Sequence, residues 1–244
     1  MSQPKAIVIG ASRGIGQGLV QKLKQAGYDT YRTVRSEPSD PKTFRVDLGD
    51  LDAESSKAAA ANFETLDVLI VNAAIAGGGS YLDIDPQRHR DFYQTNVIGP
   101  VAAVQAFLPA LRKGQQKMIV FISSKVAQTR FQLENARKPA EQRLPLSTGP
   151  YGATKAALNM VGVQLWNRIS EEGFSVLMFH PGLVRTDMST ALVAWVDENP
   201  DRTSERAITV DESTAGVVQV IQASIAAGKP EFRFVQHDGE ELEV

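Results

Sequence analysis

Seven short apolar runs, separated by longer stretches of helical character, set the strongest limit on what this chain can fold into. The runs are Ala6–Ile9, Thr30–Val34, Thr43–Val46, Val68–Val71, Met118–Ile122, Val176–Phe179 and Phe232–Val235. In most of them Val, Ile and Phe stand on successive rather than alternating positions, the pattern of strands buried on both faces. Helices are predicted over Gly14–Ala26, Asp50–Phe63, Gln87–Leu111, Pro150–Glu172 and Asp211–Ala227, the third with a bend near Gly99-Pro100. Such alternation predicts an α/β fold, a doubly wound parallel sheet of about seven strands with helices on both faces. A length of 244 residues fits one domain spanning residues 1–244. Thr129–Ser147 is polar and without clear periodicity, so it reads as a surface insertion. Ser189–Thr209 also reads as irregular, with Asn199-Pro200 as a breaker.

Composition narrows the function classes. A formal net charge of −2 with scattered Lys and Arg offers no concentrated basic face for nucleic acid. The absence of cysteine removes disulfides, thiolate metal sites and cysteine nucleophiles together. His89, His180 and His237 are too dispersed for a metal site, and His180 is expected to be a hydrogen-bonded structural residue. Met1–Lys5 shows no basic, then apolar, leader pattern, and no run approaches the ~18 apolar residues of a membrane span. A cytoplasmic protein that engages neither membrane nor nucleic acid is the expectation.

Gly10-Ala-Ser-Arg-Gly-Ile-Gly16 falls where the first predicted strand hands over to the first helix. Glycines there permit a tight turn and let backbone amides approach a pyrophosphate, while the helix N-terminus adds partial positive charge. A tight turn that binds nothing is the alternative. In dinucleotide-binding folds, an acid about 20 residues beyond the glycines takes a ribose 2′-hydroxyl, and an arginine there accommodates a 2′-phosphate. Arg35 follows the second predicted strand, 19 residues after Gly16, and Arg13 lies within the turn. A guanidinium donates two parallel hydrogen bonds to phosphate, so the pair reads as selecting NADPH. Arg35 as a solvated strand end is the competing reading.

Tyr151-Gly-Ala-Thr-Lys155 places a phenol and an ammonium at i and i+4, on one helix face. A fixed cation beside a tyrosine favours the phenolate and draws its pKa towards the working range of an acid–base catalyst. Ser124 closes the predicted strand Met118–Ile122, at the sheet edge where open α/β folds bind ligands. Asn96 stands within a predicted helix that it favours poorly.

Gly10–Gly16, Asn72-Ala73-Ala74, Asn96, Ser124, Tyr151 with Lys155, and Pro181-Gly182 occur in the order and rough spacing of the short-chain dehydrogenase/reductase superfamily. The chain resembles that family from Lys5 to about Val235, and within it the C-factor and sniffer-type carbonyl reductases. The resemblance implies a Rossmann-type domain that reduces an aldehyde or ketone with NADPH. It makes Tyr151 the general acid and Ser124 a hydrogen-bond donor to the same carbonyl oxygen. Lys155 holds the nicotinamide ribose and lowers the tyrosine pKa, and Asn96 anchors a proton-relaying water. For the cofactor it implies Gly10, Ser12, Arg13, Gly14, Ile15 and Gly16 in the turn, with Arg35 beyond it. Asp47 with Leu48 falls at the adenine, Asn72 and Ala73 at the adenosine-side ribose. Pro181, Gly182, Val184 and Thr186 fall towards the nicotinamide. Ser124 and Tyr151 are 27 residues apart, about twice the family's usual gap, and the excess is the predicted insertion. It is expected beside the active site as a wall or lid, next to a helix the family often uses to form dimers, so a homodimer or homotetramer stays open. Leu192, Val193 and Trp195, in the segment where the family places its substrate loop, form an apolar patch suited to a hydrophobic carbonyl compound. Trp166 is expected in the core or at an interface. A dinucleotide-binding sensor of the same fold, with little turnover, is the second reading. An extended-branch epimerase would need a further C-terminal domain for which the chain has no room.

Overall fold

Ala6, Ile7, Val8 and Ile9 are all fully buried, as successive apolar residues require of a strand covered on both sides. They belong to β1 (Lys5–Ile9) in the computed structural model of the chain, which describes residues 3–77, 79–146 and 149–244. There follow α1 (Gly14–Gln25), β2 (Asp29–Val34), β3 (Thr43–Arg45), α2 (Glu54–Ala60), β4 (Val68–Val71), α3 (Pro86–Tyr93) and α4 (Gly99–Lys113). The second half contains β5 (Met118–Ile122), α5 (Thr129–Arg137), α6 (Gly149–Ile169), β6 (Ser175–His180), β7 (Leu183–Val184), α7 (Thr190–Glu198), β8 (Ala207–Ile208), α8 (Val210–Ala227) and β9 (Phe232–Gln236).

Seven strands form one parallel sheet in the order β3-β2-β1-β4-β5-β6-β9, and β7 pairs with β8 in a small separate ladder. Alternate residues of each strand face opposite ways, so the sheet carries two cores. Ile7, Ile9, Leu69, Val71, Ile119 and Phe121 pack with residues of α2, α4 and α6 on one side. Ala6, Val8, Ile70, Val120 and Phe179 pack with α1 and α8 on the other. This is the expected doubly wound α/β architecture. The strand order reverses between β1 and β4, which opens a crevice at their carboxyl ends.

The elements depart from the sequence reading where side chains compete for backbone partners. The predicted helix Asp50–Phe63 contracts to α2, because Asp50 accepts from the amides of Asp52 and Ser55, both at 3.1 Å, and Ala53 turns left-handed at φ 54°. The single helix expected over Gln87–Leu111 is two helices joined by a π turn at Gln94–Ile98, one turn ahead of the expected bend. Both stretches expected to be irregular hold helices. In the insertion, α5 is followed by a tight turn that Asn135 closes on Leu144 through two hydrogen bonds of 2.9 and 3.1 Å. In the segment after β7, α7 is anchored by a bidentate Arg185–Asp197 pair at 2.7 and 2.8 Å. Ser147, the last residue of the predicted insertion, lies outside the described residues. Among the described residues, no helix is long and apolar enough to cross a membrane, and no three candidate ligands cluster for a metal.

Candidate active site

The glycine turn is built from both sides of the crevice. Gly10 donates to Thr33 Oγ1 at 2.9 Å and Ala11 to the Thr33 carbonyl at 2.8 Å, which fastens the turn to β2. Asn72, at the end of β4, donates from Nδ2 to the Gly10 carbonyl at 2.7 Å. Gly10 has φ +80°, and a Cβ there would stand 2.4 Å from that of Ala73; one on Gly16 would stand 2.2 Å from the Gly10 carbonyl. The glycines are therefore required by close backbone approach, in a shape that leaves the start of α1 free to meet an anion. Ser12 and Arg13 are exposed at its rim, whereas Ile15 packs against the core beneath α1.

Arg35 is exposed just past β2, and its carbonyl accepts from Arg45 Nε at 3.3 Å, so two cations meet at this corner. Neither has an ion-pair partner among the described residues. Arg45 was missed by sequence reasoning, although it stands two residues before Asp47. Asp47 Oδ1 accepts from the Gly49 amide at 2.9 Å and shapes the next turn. Leu48 is buried in the core and offers only its backbone.

Tyr151 and Lys155 share one face of α6. Lys155 Nζ lies 5.7 Å from the tyrosine ring centroid and donates to the Ile122 carbonyl, at the end of β5, at 2.7 Å. Burial pushes the ammonium down to about 7 and the Tyr151 phenol up to about 12, the latter opposed by a hydrogen bond with Ser124. Ser124 follows β5 in extended conformation. Serine, phenol and ammonium thus converge at the carboxyl end of a central strand. Without ligand, the phenol keeps its proton at neutral pH.

Asn96 explains the π turn. It is fully buried, its Oδ1 accepts from the Ile75 amide at 2.9 Å, and its Nδ2 donates to the Ile75 carbonyl at 2.9 Å and Thr154 Oγ1 at 3.0 Å. Thr154 in turn donates to the Tyr151 carbonyl at 2.8 Å. Both donor hydrogens of the Asn96 amide are committed to protein, so its side chain braces the segment after β4 against α6. Thr154 was missed from the sequence, as was Asn159, which accepts from Ser123 Oγ at 2.6 Å inside the core. Their signal is position alone: both lie on the tyrosine helix.

Pro181 and Gly182 follow β6. The Pro181 carbonyl accepts from Ser213 at 2.6 Å, and Val184 is buried in the small ladder with β8. Thr186 bonds Ser189 and approaches the glycine turn, 3.5 Å from where a Cβ on Gly14 would stand. In α7, Val193 is buried while Leu192 and Trp195 are half-buried. His180 corrects an expectation: it is 8 % exposed, its Nδ1 has no hydrogen-bond partner among the described residues, and burial pushes its pKa down to about 3. It is a buried neutral imidazole. Trp166 packs at the edge of the core against Phe232.

A cleft of about 530 Å³ lies beside α5, along Gly149, Gly152, Ala153 and Ala156 of α6. At roughly 100° per residue, those positions are turned about 130° from Tyr151 and Lys155, and Val126 and Ala127, just past Ser124, line the cleft as well. The insertion therefore borders a cleft beside the tyrosine helix.

The short chain dehydrogenase family profile matches residues 4–197. An oxidoreductase of Saccharomyces cerevisiae, described as uncharacterized, is 32% identical over 258 residues, covering 96% of this chain and 95% of its own. A short-chain dehydrogenase of Neurospora crassa is 28% identical, over 91% and 81% of the two chains. Among solved structures, the NADPH-bound carbonyl reductase from chicken fatty liver superposes with a TM-score of 0.77 at 27% identity over the whole of both chains. The Drosophila melanogaster carbonyl reductase Sniffer, at 23% identity, shares the fold with a TM-score of 0.76 over the whole of both chains. With a glycine turn at the strand reversal, a Ser–Tyr–Lys cluster at the sheet edge and these relatives, the chain belongs to the short-chain dehydrogenase family of oxidoreductases.

Proposed function

We propose that the protein reduces an aldehyde or ketone to the alcohol, using NADPH and Tyr151 as the proton donor. The observation that carries the reading is the convergence of Ser124, Tyr151 and Lys155 at the end of β5. Bound NADPH supplies the hydride that adds to the carbonyl carbon. Tyr151 gives its proton to the carbonyl oxygen as charge develops there, and Ser124 hydrogen-bonds the same oxygen. The phenolate left behind is stabilised by the ammonium of Lys155 and regains its proton from solvent. Asn96 acts as a positioning residue, through Thr154 and Ile75.

The residues at the crevice fit a phosphorylated dinucleotide. Gly10 and Gly16 clear the backbone for a pyrophosphate, and Arg13, Arg35 and Arg45 supply cations near the 2′-phosphate position. The carbonyl reductase structures bound to NADPH or NADP, such as that from chicken fatty liver, support the same choice. A panel of aldehydes, ketones and quinones, followed by NADPH absorbance, tests the reading. Stoichiometric NADPH consumption with alcohol formed from a carbonyl supports it. NADPH binding without turnover of any member would favour a dinucleotide sensor instead.

A further inference from the structure

Asp187 is the acid nearest the glycine turn with no role in the reading above. Its Oδ2 lies 2.6 Å from Arg13 Nη1, across 174 residues of sequence. The bridge spans the rim between the turn and the strand exit where Thr186 approaches Gly14. Asp187 is held there independently of the arginine. Ser189 bonds the carbonyls of Val184 and Thr186, and Thr190 Oγ1 donates to the Asp187 carbonyl at 3.2 Å. Arg13 caps no helix amide with its side chain. The backbone that carries the acceptor is thus held by other bonds, whereas the Arg13 side chain has no other hydrogen bond among the described residues.

We propose that Asp187 competes with the 2′-phosphate of NADPH for Arg13, and so sets the enzyme's affinity for the phosphorylated cofactor. This rests on Arg13 being a phosphate ligand. The contact is a single Nη1–Oδ2 bond, so Asp187 occupies one of the donors that a bidentate bond to phosphate would use, and its charge opposes a second anion at the same guanidinium. The ends of the bridge are 74% and 78% exposed. Solvent screens such a pair, and the released carboxylate is readily hydrated, so the competition is worth only a few-fold in affinity. NADH has no 2′-phosphate and leaves the bridge closed.

Asp187→Asn keeps the size and exposure of the side chain but removes its charge. Fluorescence titration of the full-length protein should show NADPH binding about two- to five-fold more tightly in this variant, with NADH unchanged. In an Arg13→Met background, the further Asp187→Asn change should alter neither cofactor. Unchanged NADPH affinity, or an equal change for both cofactors, would overturn the competition. Arg13→Met alone checks the underlying reading, since it should weaken NADPH selectively. If it does so while Asp187→Asn has no effect, Arg13 remains a phosphate ligand and Asp187 is a bystander. If it leaves the preference for NADPH intact, the ligand assignment itself fails.

Discussion

Lys155 gives one of its donors to the Ile122 carbonyl while burial lowers its pKa to about 7, and Tyr151 beside it is raised to about 12. Spacing on a helix shows that the two groups are neighbours; it does not show which is charged. The Tyr151–Lys155 spacing predicts that the cation lowers the phenol, whereas without ligand the balance is set by desolvation. A phenol that holds its proton is poised as an acid, which suits reduction. Gly16 carries a different constraint, legible from motif spacing but measurable only in three dimensions. A methyl group there would meet the Gly10 carbonyl at 2.2 Å. Gly16→Ala should therefore cost about 1–3 kcal/mol of stability, read by denaturant unfolding, and weaken NADPH and NADH binding alike.

At the scale of elements, the sequence was legible where apolar periodicity dominates and opaque where single polar side chains redirect the backbone. All seven expected strands form. The π turn was beyond reach, because it depends on Asn96 meeting Ile75 and Thr154, 21 and 58 residues away. Arg185–Asp197 and Asn135–Leu144 likewise order stretches that look irregular as sequence. Asn96→Ala would leave the half-buried Ile75 amide and carbonyl without a partner. The expected loss is about 2–4 kcal/mol, or roughly 4–16 °C in melting temperature for a chain of this size. Turnover should fall with it, while cofactor affinity changes little, because the asparagine braces the tyrosine helix rather than the glycine turn. A fall in cofactor affinity as large as that in turnover would contradict the division.

For the whole molecule, the order β3-β2-β1-β4-β5-β6-β9 gathers the glycine turn, Asn72, Ser124 and the Pro181-Gly182 exit along one edge of the sheet. Sequence rhythm gave that architecture; the placement of the insertion beside α6 needed the structure. The same edge holds a buried histidine that ties stability to pH. Burial, then Lys125 and His237, depress His180, with Asp238 opposing them. A histidine at about 3 in the folded state and 6.5 unfolded binds fewer protons when folded across that interval. Its contribution is complete above about pH 6.5 and is lost progressively as pH falls towards 3. At pH 5 the loss is roughly 2 kcal/mol relative to pH 8. Chemical denaturation across this range should show the slope, and His180→Gln should flatten it between pH 5 and 7.

The central claim is that Tyr151 delivers the proton in a carbonyl reduction. Its most direct test is kcat of Tyr151→Phe beside the unaltered enzyme, on a carbonyl compound the latter reduces, with NADPH affinity measured for both. The account predicts a loss of about 10²–10⁴ in kcat with NADPH affinity held within a few-fold. A phenylalanine variant that turns over at a comparable rate would contradict it.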